Sequence, residues 1–235
     1  MPELIQQDRT AAPEVPPARL GAAGEPKPRL RGWFHAAAVP LLTAGTIVLI
    51  VLARGSGPKW ALAIYLGCAL LLFGNSATYH IGNWPDKVRA TLRRIDHSNI
   101  YVFVAGTYTP LSVILLTGNS RIIILALIWG AAILGVGFSV FWIGAPRWLQ
   151  AVMYVVMGWA AVWWLPQFWS QGSPAIFWLV IAGGVIYSLG ALIYARKWPN
   201  PNPRWYGFHE LFHSLTLVAA ACHFTAIALA VARAR

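Results

Sequence analysis

Seven long apolar runs, separated by short polar joints, organise this chain. They lie at about 33–53, 60–81, 95–117, 121–142, 147–165, 174–195 and 207–231, and each is long enough to cross a hydrocarbon core that takes roughly 20 helical residues. Gly and Pro mark the joints: Gly55-Ser56-Gly57-Pro58, Gly82-Asn83-Trp84-Pro85, Gly118-Asn119, Gly144-Ala145-Pro146, Gly172-Ser173-Pro174 and Pro199-Asn200-Pro201-Asn202-Pro203. The runs are uniformly apolar and do not alternate, which excludes barrel strands and leaves helices as the spanning form. The pattern predicts an all-α integral membrane protein, a bundle of seven transmembrane helices over residues 31–235. Residues 1–30 hold Pro2, Pro13, Pro16, Pro17, Pro26 and Pro28 among mixed charges with no apolar run, a composition expected to stay a disordered tail. With no signal-peptide core ahead of Trp33, the first run is expected to remain as an anchor.

Composition agrees: 58% of residues are hydrophobic and 11% charged, against roughly 45–50% and 25% for soluble domains. The net charge of +11 gathers between the apolar runs, where membrane orientation and anionic headgroups explain it better than nucleic acid does. Of the 18 Lys and Arg, 13 fall on the side that holds the N-terminus, so the N-terminus is expected in the cytoplasm of a multi-pass inner (plasma) membrane protein. Trp163, Trp164 and Trp169 flank the uncharged fifth joint as an outer aromatic belt would. Cys68 and Cys222 lie inside apolar runs and suggest no disulfide framework. Gly130, Gly135, Gly137, Gly183, Gly184 and Gly190 are expected to let helix backbones approach closely.

Only three acids, Asp86, Asp96 and Glu210, lie beyond the tail. Placed on the oriented bundle, Ser76 and His80 near the end of the second run, Asp96 and His97 at the start of the third, and His209 and His213 at the start of the seventh come to one depth. Ionisable groups inside membrane segments are costly and mark function by default. His209 and His213 share one helix face; with His80 they supply three nitrogens to a tetrahedral Zn²⁺ and leave a fourth place for water. Asp96 is placed to take that water's proton, and Ser76, one turn before His80, to position water or substrate. The competing reading is a set of interhelical hydrogen bonds in a wet cavity. His97 points about 100° away from Asp96, which suits packing or a contact behind the ligands; His223 lies roughly 15 Å deeper than His213 and cannot share its ion; His35 is a candidate for supporting a ligand.

His209-Glu210-Leu211-Phe212-His213 also fits H-E-x-x-H, in which Glu is the base of a metalloprotease. Thr216 and Ala219 stand where the extended form of that motif needs Gly and His, and Glu210, adjacent to His209, is expected to face a neighbour or the headgroup boundary instead of the ion.

Three stretches taken in order, Ser76-Ala77-Thr78-Tyr79-His80, then Asp96-His97-Ser98-Asn99-Ile100-Tyr101 through Ala105-Gly106-Thr107-Tyr108-Thr109-Pro110, then His209-Glu210-Leu211-Phe212-His213 with Cys222-His223-Phe224, resemble the hemolysin III branch of the progestin and adiponectin receptor (PAQR) family over roughly residues 30–232. The resemblance implies seven helices with a cytoplasmic N-terminus, and a zinc ion on His80, His209 and His213 with Asp96 on the water and Ser76 alongside. It also implies ceramidase-like lipid hydrolysis and a part in membrane fluidity and lipid homeostasis. Arg31-Gly32-Trp33-Phe34-His35 keeps only the His of the bacterial first-helix pattern. The expectation is therefore a zinc-dependent lipid amide or ester hydrolase with membrane lipids as partners. The alternatives are a non-enzymatic sensor of membrane state with structural zinc, a cytolysin, and an intramembrane metalloprotease.

Overall fold

The computed structural model describes residues 27–142 and 144–234, apart from the side chain of Ala161; most of the expected tail, residues 1–26, lies outside the described residues. Among the described residues, seven helices long and apolar enough to span a membrane follow one another: α1 (Trp33–Leu52), α2 (Ser56–Ile81), α3 (Asp86–Leu115), α4 (Gly118–Phe141), α5 (Arg147–Gly172), α6 (Pro174–Arg196) and α7 (Phe208–Arg233). They are the helices the hydropathy pattern predicts, with two boundaries moved. α3 begins nine residues before the apolar run, after Pro85, because the charged stretch from Asp86 to Arg94 suits helix without suiting lipid; Asp86 sits in the first turn, where the helix dipole favours an acid, and pairs with Arg89 one turn on. α5 tightens to 3₁₀ over Trp159–Trp164 and then continues past Leu165 into a wide π turn, Phe168–Gly172. Pro166 and the polar Gln167 hide that continuation from hydropathy.

The bundle is arranged around α3. Of its most apolar window 72% is buried, against 22–50% for the other helices, and it touches α2, α4, α5 and α7. α7 in turn packs along α6 and against α1, and α5 lies on α6. Outward-facing side chains are large and apolar, among them Leu41, Leu134, Phe141 and Trp163. That distribution suits lipid as the surrounding solvent, and the chain is an integral multi-pass membrane protein.

Inside, polar groups are tied locally. Thr107 and Thr109 of α3 donate to the carbonyls one turn back, of Phe103 and Ala105, at 2.9 and 2.8 Å. α2 carries a π turn at Leu70–Gly74, which widens the backbone; the buried Asn99 of α3 reaches across and donates to the Leu71 carbonyl at 2.7 Å. The glycines divide. Gly130 and Gly137 face open space, whereas a Cβ on Gly135 would fall 2.3 Å from the Tyr101 ring and one on Gly183 2.3 Å from that of His223. What these two glycines admit is a neighbour's ring, not a neighbouring backbone. Gly135→Ala is expected to destabilise the bundle by about 1–3 kcal/mol through overpacking, while Gly137→Ala changes little; thermal melting in detergent compares them.

Candidate metal centre

Three helices meet at the site. His80 lies in the last turns of α2, after the π turn; His209 and His213 occupy the first two turns of α7; Asp96 is in the third turn of α3. The expected convergence holds. One nitrogen each from His80, His209 and His213 lies within 4.8 Å of the other two, and Nε2 of His209 is 3.3 Å from Nε2 of His80. Two ligands on a tetrahedral zinc at about 2.0–2.1 Å each stand about 3.3 Å apart, so that pair already has the spacing of one edge of the tetrahedron. Imidazole nitrogens in a mostly buried trio are a donor set compatible with Zn²⁺.

Asp96 is buried, with Oδ2 3.7 Å from Nε2 of His80, beside the trio but outside it. Ser76, 2% exposed, lies beside the Asp96 carboxyl. The two residues expected to serve chemistry are thus neighbours across α2 and α3.

His35 enters the site from α1. Its ring stacks on that of His213, with centroids 4.0 Å apart and planes 4° from parallel, and meets Phe73 edge-on. The stacked ring sets the tilt of the His213 ring against it. His97 is not part of the trio, and its backbone carbonyl accepts from the Tyr154 hydroxyl at 3.3 Å. His223 is clear of the trio, with Nε2 3.2 Å from the Val180 carbonyl.

Glu210 has a task of its own. Oε2 accepts from the Gly207 N–H at 2.8 Å, capping the start of α7, and Oε1 pairs with Arg31. Arg31 belongs to a strap, residues 27–32, laid across the joint before α7: the backbone N–H groups of Arg29 and Leu30 donate to the carbonyls of Arg204 and Trp205, and the Arg29 guanidinium lies 4.5 Å over the Trp205 ring. With both oxygens engaged, Glu210 is not among the residues around the cavity described next. The sequence pattern that matched H-E-x-x-H is a helix cap placed between two histidines of the trio. The strap is what sequence reasoning missed, because Arg29 and Arg31 entered it only as charges.

A partly open cavity of about 100 Å³ runs from His35, Ser76, Asp96 and His213 along α7 between α3, α5 and α6. Its walls beyond the polar head, including Ile100, Phe103, Val104 and Val155, are apolar, the character of a site for an apolar ligand.

A family model described as "Haemolysin-III related" matches residues 24–224. The chain belongs to this haemolysin-III-related family. The matched span contains every residue of the trio together with Ser76, Asp96, His35 and His223. Similar proteins include the "Hemolysin-3 homolog" of Bacillus subtilis (strain 168), 32% identical over 177 residues, 74% of this chain and 83% of that protein. "Hemolysin-3" of Bacillus cereus is 32% identical over 178 residues, 74% and 81% respectively. A shorter stretch of 62 residues is 39% identical to the "ADIPOR-like receptor IZH2" of Saccharomyces cerevisiae, covering 24% of this chain and 19% of the yeast protein. The haemolysin-III-related family is thereby linked to the PAQR receptors.

Proposed function

We propose that this chain is a zinc-dependent hydrolase of a lipid amide or ester bond, at work in membrane homeostasis from the cytoplasmic side of the plasma membrane. The observation that carries the reading is that one histidine of the trio, His213, lines the head of an apolar cavity together with Ser76 and Asp96. His80, His209 and His213 hold the ion. Zn²⁺, when bound, supplies a Lewis acid that acidifies water and polarises a carbonyl. Asp96 accepts the proton of the attacking water at a carboxylate oxygen and returns it to the departing nitrogen or oxygen. Ser76 keeps that carboxylate aimed at the trio, and His35 holds the His213 ring from behind. The apolar walls hold the acyl chain and keep bulk water away from the reacting carbonyl.

Elemental analysis of gently purified protein tests the foundation. Wild type is expected to carry about one zinc per chain, and His80→Ala and His209→Ala to lose most of it. Wild type without zinc would leave the trio as a set of interhelical hydrogen bonds.

A second reading draws support from the way the site joins helix ends: the trio spans α2 and α7, and His35 and the strap add α1. In this reading zinc is a clasp, and the state of the bilayer shifts the packing of the three helices. His80→Ala would then lower the melting temperature and blunt the response to membrane fluidity, with no turnover of any lipid by wild type.

A further inference from the structure

The trio is divided between two helices that hardly meet. His80 lies at the end of α2, and His209 and His213 at the start of α7, yet α2 and α7 share few direct contacts, whereas α1 packs on both. Helix ends have the fewest intrahelical hydrogen bonds, so the gap between the two halves of the trio is set from outside. The strap ahead of α1 reaches both halves. On the α7 side, the Arg29 and Leu30 N–H groups donate to the Arg204 and Trp205 carbonyls at 3.0 and 3.2 Å. Arg31 pairs through Nε with Glu210, which stands between His209 and His213 in the sequence and is 1% exposed. On the α2 side, Lys27 donates to the Gly82 carbonyl at 3.4 Å. Gly32 packs so closely there that a Cβ on it would fall 3.0 Å from Cβ of His80 and 2.9 Å from Cγ1 of Ile81. Its φ of 84° is one that favours glycine.

We propose that Arg31 and Gly32 are positioning residues for a divalent cation: the strap fixes the distance between His80 and the first turns of α7, and so slows the loss of an ion held between them. Arg31 acts through Glu210. The other oxygen of that carboxylate caps the Gly207 N–H, so one side chain joins the strap to the turn that carries His209 and His213. Gly32 acts by contact, because without a side chain the strap backbone lies against His80 and leaves it little room to shift that way. Two half-sites held at a preset distance bind an ion more tightly than two that the ion must draw together. Groups that orient metal ligands from behind act in this way without touching the metal.

The inference rests on the trio as a metal site and not on any turnover, so its test reads retention of the ion. Purified full-length protein is loaded with Zn²⁺, and release to a chelator is timed below the melting temperature of each variant. Co²⁺ loaded in its place reports the ligand geometry through its visible absorption. Arg31→Met with Glu210→Leu detaches the strap and leaves no buried charge alone. It is expected to release zinc about 10–100-fold faster than wild type, the range for groups that orient metal ligands, and to weaken the Co²⁺ band. Arg31→Lys is the conservative control: the pair is made through Nε, a position the Lys ammonium also reaches, so release stays near the wild-type rate. Gly32→Ala presses on His80 with the Arg31–Glu210 pair intact, and is expected to speed release as well. Release at the wild-type rate from either loosened protein, or release from Arg31→Lys as fast as from the double variant, would overturn the assignment. A wild type that holds no zinc would remove the metal site and the strap's role together. Strap-dependent retention in a protein that turns over no lipid would leave the role standing and remove the hydrolase.

Discussion

Asp96→Asn is expected to lower fatty-acid release from a lipid amide by about 10²–10⁴-fold, the range of a lost general base, while zinc content stays at the wild-type level. The separation follows from where the carboxyl stands. Its oxygen is 3.7 Å from a nitrogen of the trio and beside Ser76, so it borders the metal position without belonging to the set of three nitrogens. Asparagine keeps the shape, but it does not take up a proton at neutral pH. Release and zinc are measured on the same preparation. Equal release by both proteins removes the mechanism, and loss of zinc together with activity makes Asp96 a holder of the ion and not a base.

Glu210→Ala carries the second large effect, and it falls on stability. The substitution strips Arg31 of its acid and the Gly207 N–H of its acceptor in one step. Removing one member of a buried ion pair costs about 3–5 kcal/mol because the other charge stays behind. Arg31 keeps 14% of its side-chain exposure, which points to the lower end, about 3 kcal/mol. Replacing both residues, Arg31→Met with Glu210→Leu, is expected to recover much of that loss, since no buried charge is then left alone. Thermal melting of the single and double variants decides it. Glu210→Gln adds a chemical control: activity per folded molecule stays near wild type if Asp96 is the base, and a drop of about a hundredfold or more without unfolding would return Glu210 to that role.

The seven spans were legible because the cost of putting polar backbone and charge into lipid writes itself into run length. The trio was legible for a related reason: ionisable side chains are so scarce in the apolar runs that those at one depth had few places to converge other than on each other. Where helices outrun the bilayer the signal fades, as at Asp86–Arg94, whose charges argue against lipid but not against helix. Partnerships between distant segments were hidden. Nothing in the sequence near Arg31 announces Glu210, and the stacking of His35 on His213 depends on the rotation of α1 against α7, which neither helix's own periodicity fixes.

The π turn of α2 gives the site a phase as well as a position. Each residue added to or removed from a helix turns everything after it by about 100°, and a π turn is an α-helix that has accommodated one residue too many. Leu62, Tyr65 and Cys68 ahead of it and Ser76 and His80 behind it are therefore set on two angular scales within one span. Loss of a single residue between Leu70 and Gly74 would close the turn into regular α-helix and leave His80 near its present face, whereas loss of one between Asn75 and Tyr79 would swing His80 by about 100° away from His209 with no histidine altered. Along this stretch the number of residues, more than their identity, aims the histidine.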